Sequence, residues 1–136
     1  GANIPRLAEK LLEDERLERG TGLEKAYVEK SLDAKMCFEL YYARDRAAVG
    51  LFELLKDFYA AGFASVINTF DAEVLVIGGA IYLGHESFFQ HEVLPRIDRF
   101  LLLDKPHIAK PVHGDLAPLY GAAHCALEGV EGARIH

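Results

Sequence analysis

At 136 residues the chain has the size of one domain and enough length to bury a core, and with 51% hydrophobic and 26% charged residues it has the balance of an ordinary globular protein. Its formal charge of -6, with no Lys/Arg cluster, argues against nucleic acid as a partner of this chain, because neutralising phosphates supplies most of that affinity. No apolar run approaches the roughly 18 residues of a membrane span. The opening Gly1-Ala2-Asn3-Ile4-Pro5-Arg6 lacks the basic-then-apolar order of a signal peptide, so a cytoplasmic location is expected. Cys37 and Cys125 form no C-x-x-C and fit no zinc-ligand spacing, so two reduced and mostly buried thiols are expected. The six histidines include no helical i, i+4 pair, and no metal site is expected.

Taken in order, Pro5 to Arg19 reads as a helix with Leu7, Leu11 and Leu12 on one face and Gly20 as its C′ residue. A short helix from about Glu24 to Lys30 follows the break at Thr21-Gly22. Ser31 is the expected N-cap of a third helix, about Asp33 to Arg44, with Asp33 in its first turn and an aromatic face of Phe38, Tyr41 and Tyr42. Asp45 can cap the longest helix, about Arg46 to Phe70. Apolar residues cover well over half of its circumference in the second part, which predicts a sandwiched helix whose polar side is Lys56-Asp57. Gly50 and Gly62 are expected to allow close packing there.

The next stretch, Glu73-Val74-Leu75-Val76-Ile77-Gly78-Gly79-Ala80-Ile81, organises the rest of the chain. Its continuous apolar run predicts a strand over 73–78 buried on both faces, as in a parallel sheet under helices. Glycines at the carboxyl end of such a strand permit a sharp turn or a close approach, and ligands of open α/β sheets bind at that end. His85 to Leu102 reads as a helix that Pro95 kinks or divides. A second strand, about 107–112, contains Pro111 and therefore lies at an edge or points that nitrogen outward. Asp115 is the expected N-cap of a last helix, Leu116 to Leu127, with Pro118 in its first turn and Gly121-Ala122-Ala123 as a close-packing face; 129–136 is a loose tail. Strand, helix, strand, helix is a right-handed βαβ unit with one further helix. Two strands make a poor sheet, which hints at missing partners from another part of a longer protein or another copy of the chain; the opening Gly1, with the single methionine at Met36, fits either a removed initiator methionine or a piece of something longer.

No Rossmann fingerprint, P-loop, G-x-S-x-G, D-F-G or H-E-x-x-H is present. Asp71, Glu73 and Asp115 are the carboxylates nearest the ligand edge, and each reads as a cap or turn residue before it reads as a general base. No nucleophile–base pair is evident, so no catalytic residue is assigned.

The segment Asn68-Thr69-Phe70-Asp71-Ala72-Glu73-Val74-Leu75-Val76-Ile77-Gly78-Gly79, followed by Gly114-Asp115-Leu116-Ala117-Pro118-Leu119-Tyr120-Gly121-Ala122-Ala123, resembles the carboxyl-terminal part of the ROK family of repressors, open reading frames and sugar kinases. That family typically shows N-x-x-D-P-E-x-[IV]-[IV]-x-G-G and later G-D-x-A-x-x-x-G-A-A. Ala43-Arg44-Asp45-Arg46-Ala47-Ala48 resembles its A-x-x-G-D-x-x-A helix junction. The resemblance spans about 31 to 127. Ala72 stands where the family usually has proline, Arg44 where it usually has glycine, and Pro118 replaces a common small residue.

The resemblance implies an α/β fold, a helix-rich fragment of the second lobe of an actin-like (ribonuclease H-like) ATPase with a β-α-β-α unit at its C-terminal end. Residues 1–30 would be N-terminal helices and 31–128 the lobe core of a single domain. It implies that Gly78, Gly79, Ala80, Gly114 and Asp115 line the adenosine side of a nucleotide cleft, where glycine backbones admit a ribose or phosphate and a helix N-terminus favours an anion. The family's phosphate loop, sugar-site aspartate and zinc motif are not in this chain. The implied function is the nucleotide-side lobe of a glucokinase-like, ATP-dependent sugar kinase, inactive alone, using ATP or ADP with Mg in the intact enzyme. Its partners would be a missing N-terminal lobe, a sugar met only in the intact protein, and further copies in a homo-oligomer. The alternatives are the sensor lobe of a ROK-type sugar-responsive repressor and a non-enzymatic dimerisation domain.

Overall fold

The computed structural model describes residues 3–116 and 119–126. Helices α1 (Asn3–Glu13), α2 (Gly22–Val28), α3 (Ala34–Tyr42) and α4 (Arg46–Phe70) come first. Strand β1 (Val74–Val76), helix α5 (Ala80–Gly84), helix α6 (Glu86–Phe88), strand β2 (His107–Ala109) and helix α7 (119–126) follow. The chain divides inside α4 into two compact units, Gly1–Gly62 and Phe63–His136.

In the first unit, helix ends are set by side chains that satisfy orphan backbone groups. Thr21 caps α2 by accepting from Glu24 N, and Glu24 reaches back to the Gly20 N–H at 2.6 Å, a variant of the capping box. Asp33 caps α3, accepting from Met36 N at 2.7 Å. Ser31 is therefore not the cap: its hydroxyl donates to Ala26 O and closes α2 instead. Asp45 caps α4 as expected, accepting from Ala48 N at 3.0 Å.

Helix α1 stops at Glu13, six residues before the predicted Arg19. Glu15 takes the left-handed conformation (φ 55°), Arg16 N donates to Leu11 O and Glu15 N to Leu12 O, which is the Schellman closure. Gly20 is thus not its C′ residue. The early stop turns Leu17 inward against Gly50, where an added Cβ would sit 3.3 Å from the leucine Cδ2. The close-packing expectation for Gly50 holds. That for Gly62 does not, since nothing lies within 4 Å of its Cβ position. Lys30 (φ 54°) and Arg44 (φ 60°) end α2 and α3 with the same closure.

The core of this unit joins Ile4, Ala8, Leu11 and Leu12 of α1 to Leu23, Cys37, Phe38, Tyr41, Leu51 and Phe52. Phe52 stacks on Tyr41 at 4.4 Å and meets Phe38 edge-on at 4.7 Å, so Phe38 and Tyr41 of the aromatic face of α3 are core, while Tyr42 is exposed. Lys56 does not mark a polar side. Its residue is 4% exposed, its ammonium pairs with Glu53 at 2.6 Å, and it lies 5.4 Å from the Tyr41 ring centroid. Burial pushes the Cys37 thiol up to about 12, with the Asp33 charge adding to it.

In the second unit, Ala64 and Ile67 of α4 pack inward with Ile77, Tyr82, Phe88, Phe89, Val93, Leu94 and Ile97. Val66 and Phe70 are exposed, so α4 is covered only in part along this length. The Asn68 amide donates to Phe100 O and accepts from Leu102 N, each at 2.9 Å, bracing the end of α4 against the 100–102 turn. The 86–99 stretch is divided as Pro95 requires: α6 widens into a π turn (Phe89–Val93) and then tightens into a 3-10 turn (Leu94–Arg99). It ends at Arg99, before the predicted Leu102.

β1 and β2 pair in parallel, with Val74 opposite His107, Leu75 opposite Ile108 and Val76 opposite Ala109. β1 is shorter than 73–78 and is not buried on both faces, since Val74 and Val76 are 52% and 56% exposed. Among the described residues the sheet has two strands, too few to bring a helical layer over both faces. β2 ends at Ala109, which leaves Pro111 beyond the ladder and removes the need for it to donate. Gly121, Ala122 and Ala123 are exposed in α7, so the predicted small-residue face packs on nothing among the described residues. Pro118, Leu127 and the 129–136 tail lie outside the described residues.

Candidate functional site

Parallel pairing decides where the two glycine turns fall. Each strand leaves the sheet at the same end, so the turn after β1 and the turn after β2 are neighbours at the carboxyl edge. Ile77 N extends the ladder to Ala109 O at 3.1 Å before the chain turns away. Helix α5, which begins at Ala80, lies beside the 3-10 turn Gly114–Leu116. The structure thus brings Gly78, Gly79, Ala80 and Gly114 to one edge. The backbone of Asp115 is there too, within the 3-10 turn, while its side chain lies outside the described set.

The two adjacent glycines have different physical roles. At Gly78 an added Cβ would stand 3.2 Å from Pro111 Cγ, so the missing side chain lets the β2 exit pack against the β1 exit. At Gly79 nothing lies within 4 Å of the Cβ position, but φ is 98° and ψ 155°, a region essentially reserved for glycine. Gly79 makes the turn and leaves open space in front of it. Gly114 also has positive φ, 52°, and its N–H donates to Pro111 O at 3.2 Å.

The chemistry around this edge is sparse. α5, a helix that the sequence does not predict, has five residues and no side-chain cap, so its macrodipole is slight and its N-terminus is a weak anion site. The His113 and Tyr120 rings stack at 4.0 Å just outside the Gly114 turn. Lys110 pairs with Glu86 at 2.6 Å, and the hydrogen bond and charge of that carboxylate raise its pKa. Burial holds the His85 imidazole below its ordinary value. Asp71 is in the left-handed conformation (φ 48°) at the end of α4, and the Glu73 carbonyl accepts from His107 N, so both act through backbone geometry. No group of three or more His, Cys, Asp or Glu among the described residues is arranged to hold a metal ion. No described helix is long and apolar enough to cross a membrane.

The contact between Pro111 and Gly78 and the Lys110–Glu86 pair were not found in the sequence. Pro111, expected inside the second strand but lying two residues past the end of β2, was the available signal for the first. Nothing signals the second, because its partners are 24 residues apart on separate elements.

The ROK family profile matches residues 14–128. An N-acetyl-D-glucosamine kinase of Mannheimia succiniciproducens is 32% identical over 111 residues, covering 76% of this chain and 35% of that protein. A glucokinase of Pyrobaculum calidifontis is 30% identical over 86 residues, covering 63% of this chain and 29% of that protein. The structure of a ROK hexokinase from Thermus thermophilus superposes with a TM-score of 0.67 at 27% identity, covering 80% of this chain and 37% of that one. The chain therefore spans about a third of the length of the relatives it matches. Its α/β fold, helix-rich with a small parallel sheet, is that of part of an actin-like sugar kinase. With the family profile running over 14–128 and a relative 32% identical along 76% of the chain, this protein belongs to the ROK family.

Proposed function

We propose that this chain is the nucleotide-side lobe of an ATP-dependent, glucokinase-like sugar kinase, inactive without the remainder of such an enzyme. The observation that carries the reading is the meeting of the two glycine turns at one sheet edge, with open space before Gly79. Gly79 and Ala80 are exposed there, which fits the approach of a ribose or a phosphate, and Gly78 braces the turn through Pro111. Gly114 and Asp115 would complete the adenosine side. Bound Mg-ATP would supply the γ-phosphoryl group for in-line transfer to a sugar hydroxyl. This chain's share is to hold the adenosine end and fix its orientation. The base for the sugar hydroxyl must stand within hydrogen-bonding reach of it, and belongs to a preceding lobe. Joining that lobe, in a cytoplasmic homo-oligomer, is part of the same reading. The kinases among the relatives favour it over a repressor's sensor lobe.

Titration calorimetry with Mg-ADP tests the site. Wild type is expected to bind saturably and Gly79→Val to lose binding, since valine at φ 98° carries strain of about 1–3 kcal/mol. Gly84→Ala, with open space at its Cβ position, serves as the neutral control. A folded wild type that takes up no nucleotide refutes the reading. The exposed Val74 and Val76 favour a second reading, an interaction domain that dimerises through the β1 edge. A nucleotide-indifferent dimer in sedimentation would establish it.

A further inference from the structure

Helix α5 is the least self-sufficient element at the candidate site. Five residues make little more than one turn, and a helix that short does not persist in water by itself. Its N-cap residue, Gly79, offers no side chain to the orphan N–H groups. Neighbouring contacts must therefore hold it. One is apolar: Tyr82 is 3% exposed, its ring centroid lies 5.2 Å from that of Phe89, and its hydroxyl accepts from Gln90 Nε2 at 3.0 Å. A second, just past the C-terminal end of α5, is ionic: the 2.6 Å contact between Lys110 Nζ and Glu86 Oε1.

The ionic contact closes a ring of structure. Glu86 opens α6 two residues past the end of α5. Lys110 directly follows β2, and the next residue, Pro111, packs on Gly78. The path therefore runs from Gly78 and Gly79 through α5 to Glu86, across the ion pair to Lys110, and through Pro111 back to Gly78. We infer that Glu86 and Lys110 are positioning residues, a clamp that holds α5 against the exit of β2 and so presets the glycine turn for its ligand. The inference rests on the nucleotide-side reading for the ligand, while the clamp itself is measurable without one.

The test is amide hydrogen exchange on the full chain. Leu83 N donates to Gly79 O and His85 N to Ile81 O, so these two amides report whether α5 is formed. In Lys110→Met and in Glu86→Gln they should exchange about two- to fivefold faster, the ratio that the ordinary worth of an exposed ion pair gives. The global unfolding midpoint should stay in place. Lys110→Arg should retain protection, and the exchange of charges in Lys110→Glu with Glu86→Lys should restore it. Unchanged exchange at Leu83 and His85 overturns the clamp. Mg-ADP titration of the same samples separates the two ideas: a wild type that does not bind removes the nucleotide reading, while the exchange rates still decide the clamp. Weaker binding by Lys110→Met with unchanged exchange would make Lys110 a direct ligand contact, and would also overturn the positioning role.

Discussion

Removing the Asp45 carboxylate should destabilise the first unit more than removing any ordinary helix cap. One oxygen accepts from Ala48 N at 3.0 Å and caps α4, while the other accepts from Gly22 N at 2.6 Å, 23 residues away at the start of α2. Losing an N-cap costs about 1 kcal/mol. Losing a hydrogen bond to a charged acceptor, with a part-buried N–H left behind, costs about 1.5–3 kcal/mol more. The two are not independent, so Asp45→Ala should lose about 2–3 kcal/mol. Asp45→Asn keeps one acceptor and turns a donor toward the other N–H, and should lose about half as much. Asp33→Ala, whose carboxylate caps α3 alone, should lose about 1 kcal/mol. Urea unfolding followed by far-ultraviolet circular dichroism measures all three against wild type. Asp45→Ala within about 0.5 kcal/mol of wild type, or no worse than Asp33→Ala, would refute the two-helix bridge.

Arg44→Gly should raise stability by about 0.5 kcal/mol, because the left-handed conformation costs an arginine about 1 kcal/mol and glycine's freedom in the unfolded chain returns part of it. A lower urea midpoint would show that the arginine side chain outweighs its backbone strain. In native protein a thiol reagent should modify exposed Cys125 promptly and Cys37 only after denaturant is added, since Cys37 is buried and its pKa is pushed up to about 12. Two prompt thiols would contradict the packing around Cys37. His85 has a folded pKa below its unfolded value, so the unfolded state binds the extra proton first and stability should fall as pH drops through about 6.5. His85→Gln should flatten that slope between about pH 7 and 5, and an unaltered slope would clear His85 of the effect.

The sequence located α1 to α4 and both strands, because the apolar periodicity of α1 to α4 and the Val74–Ile77 run are strong local signals, but it missed α5, whose five residues are too few to show a helical period. It misplaced the ends where a local rule lost to packing. Gly20 is the obvious helix terminator after Arg19, yet the helix stops at Glu13 because burying Leu17 against Gly50 requires the earlier turn. Arg44 hid a left-handed C′ position that the family pattern marks with glycine; the geometry at φ 60° explains that preference. Lys56 read as surface because charge is usually solvated, and nothing local announces a ring from another helix beneath its ammonium. At the site, the glycines were legible as a turn. Their division of labour was not, since only the fold shows that Gly78 answers to Pro111 and Gly79 to its own dihedral angles.

The parallel register also fixes an order of events. His107 meets Val74 from 33 positions downstream, and closing a loop of that length costs about 3 kcal/mol of chain entropy before any ladder bond forms. Helices such as α4 need no such closure and can form early. The carboxyl edge of the sheet is therefore completed by contacts that close one of the long loops in its unit, and on unfolding it is among the first parts to be lost. A molecule held at that edge would bind only the fully closed state and would slow its opening. Protection of β2 amides would then record occupancy of the edge more sensitively than any signal from the helices.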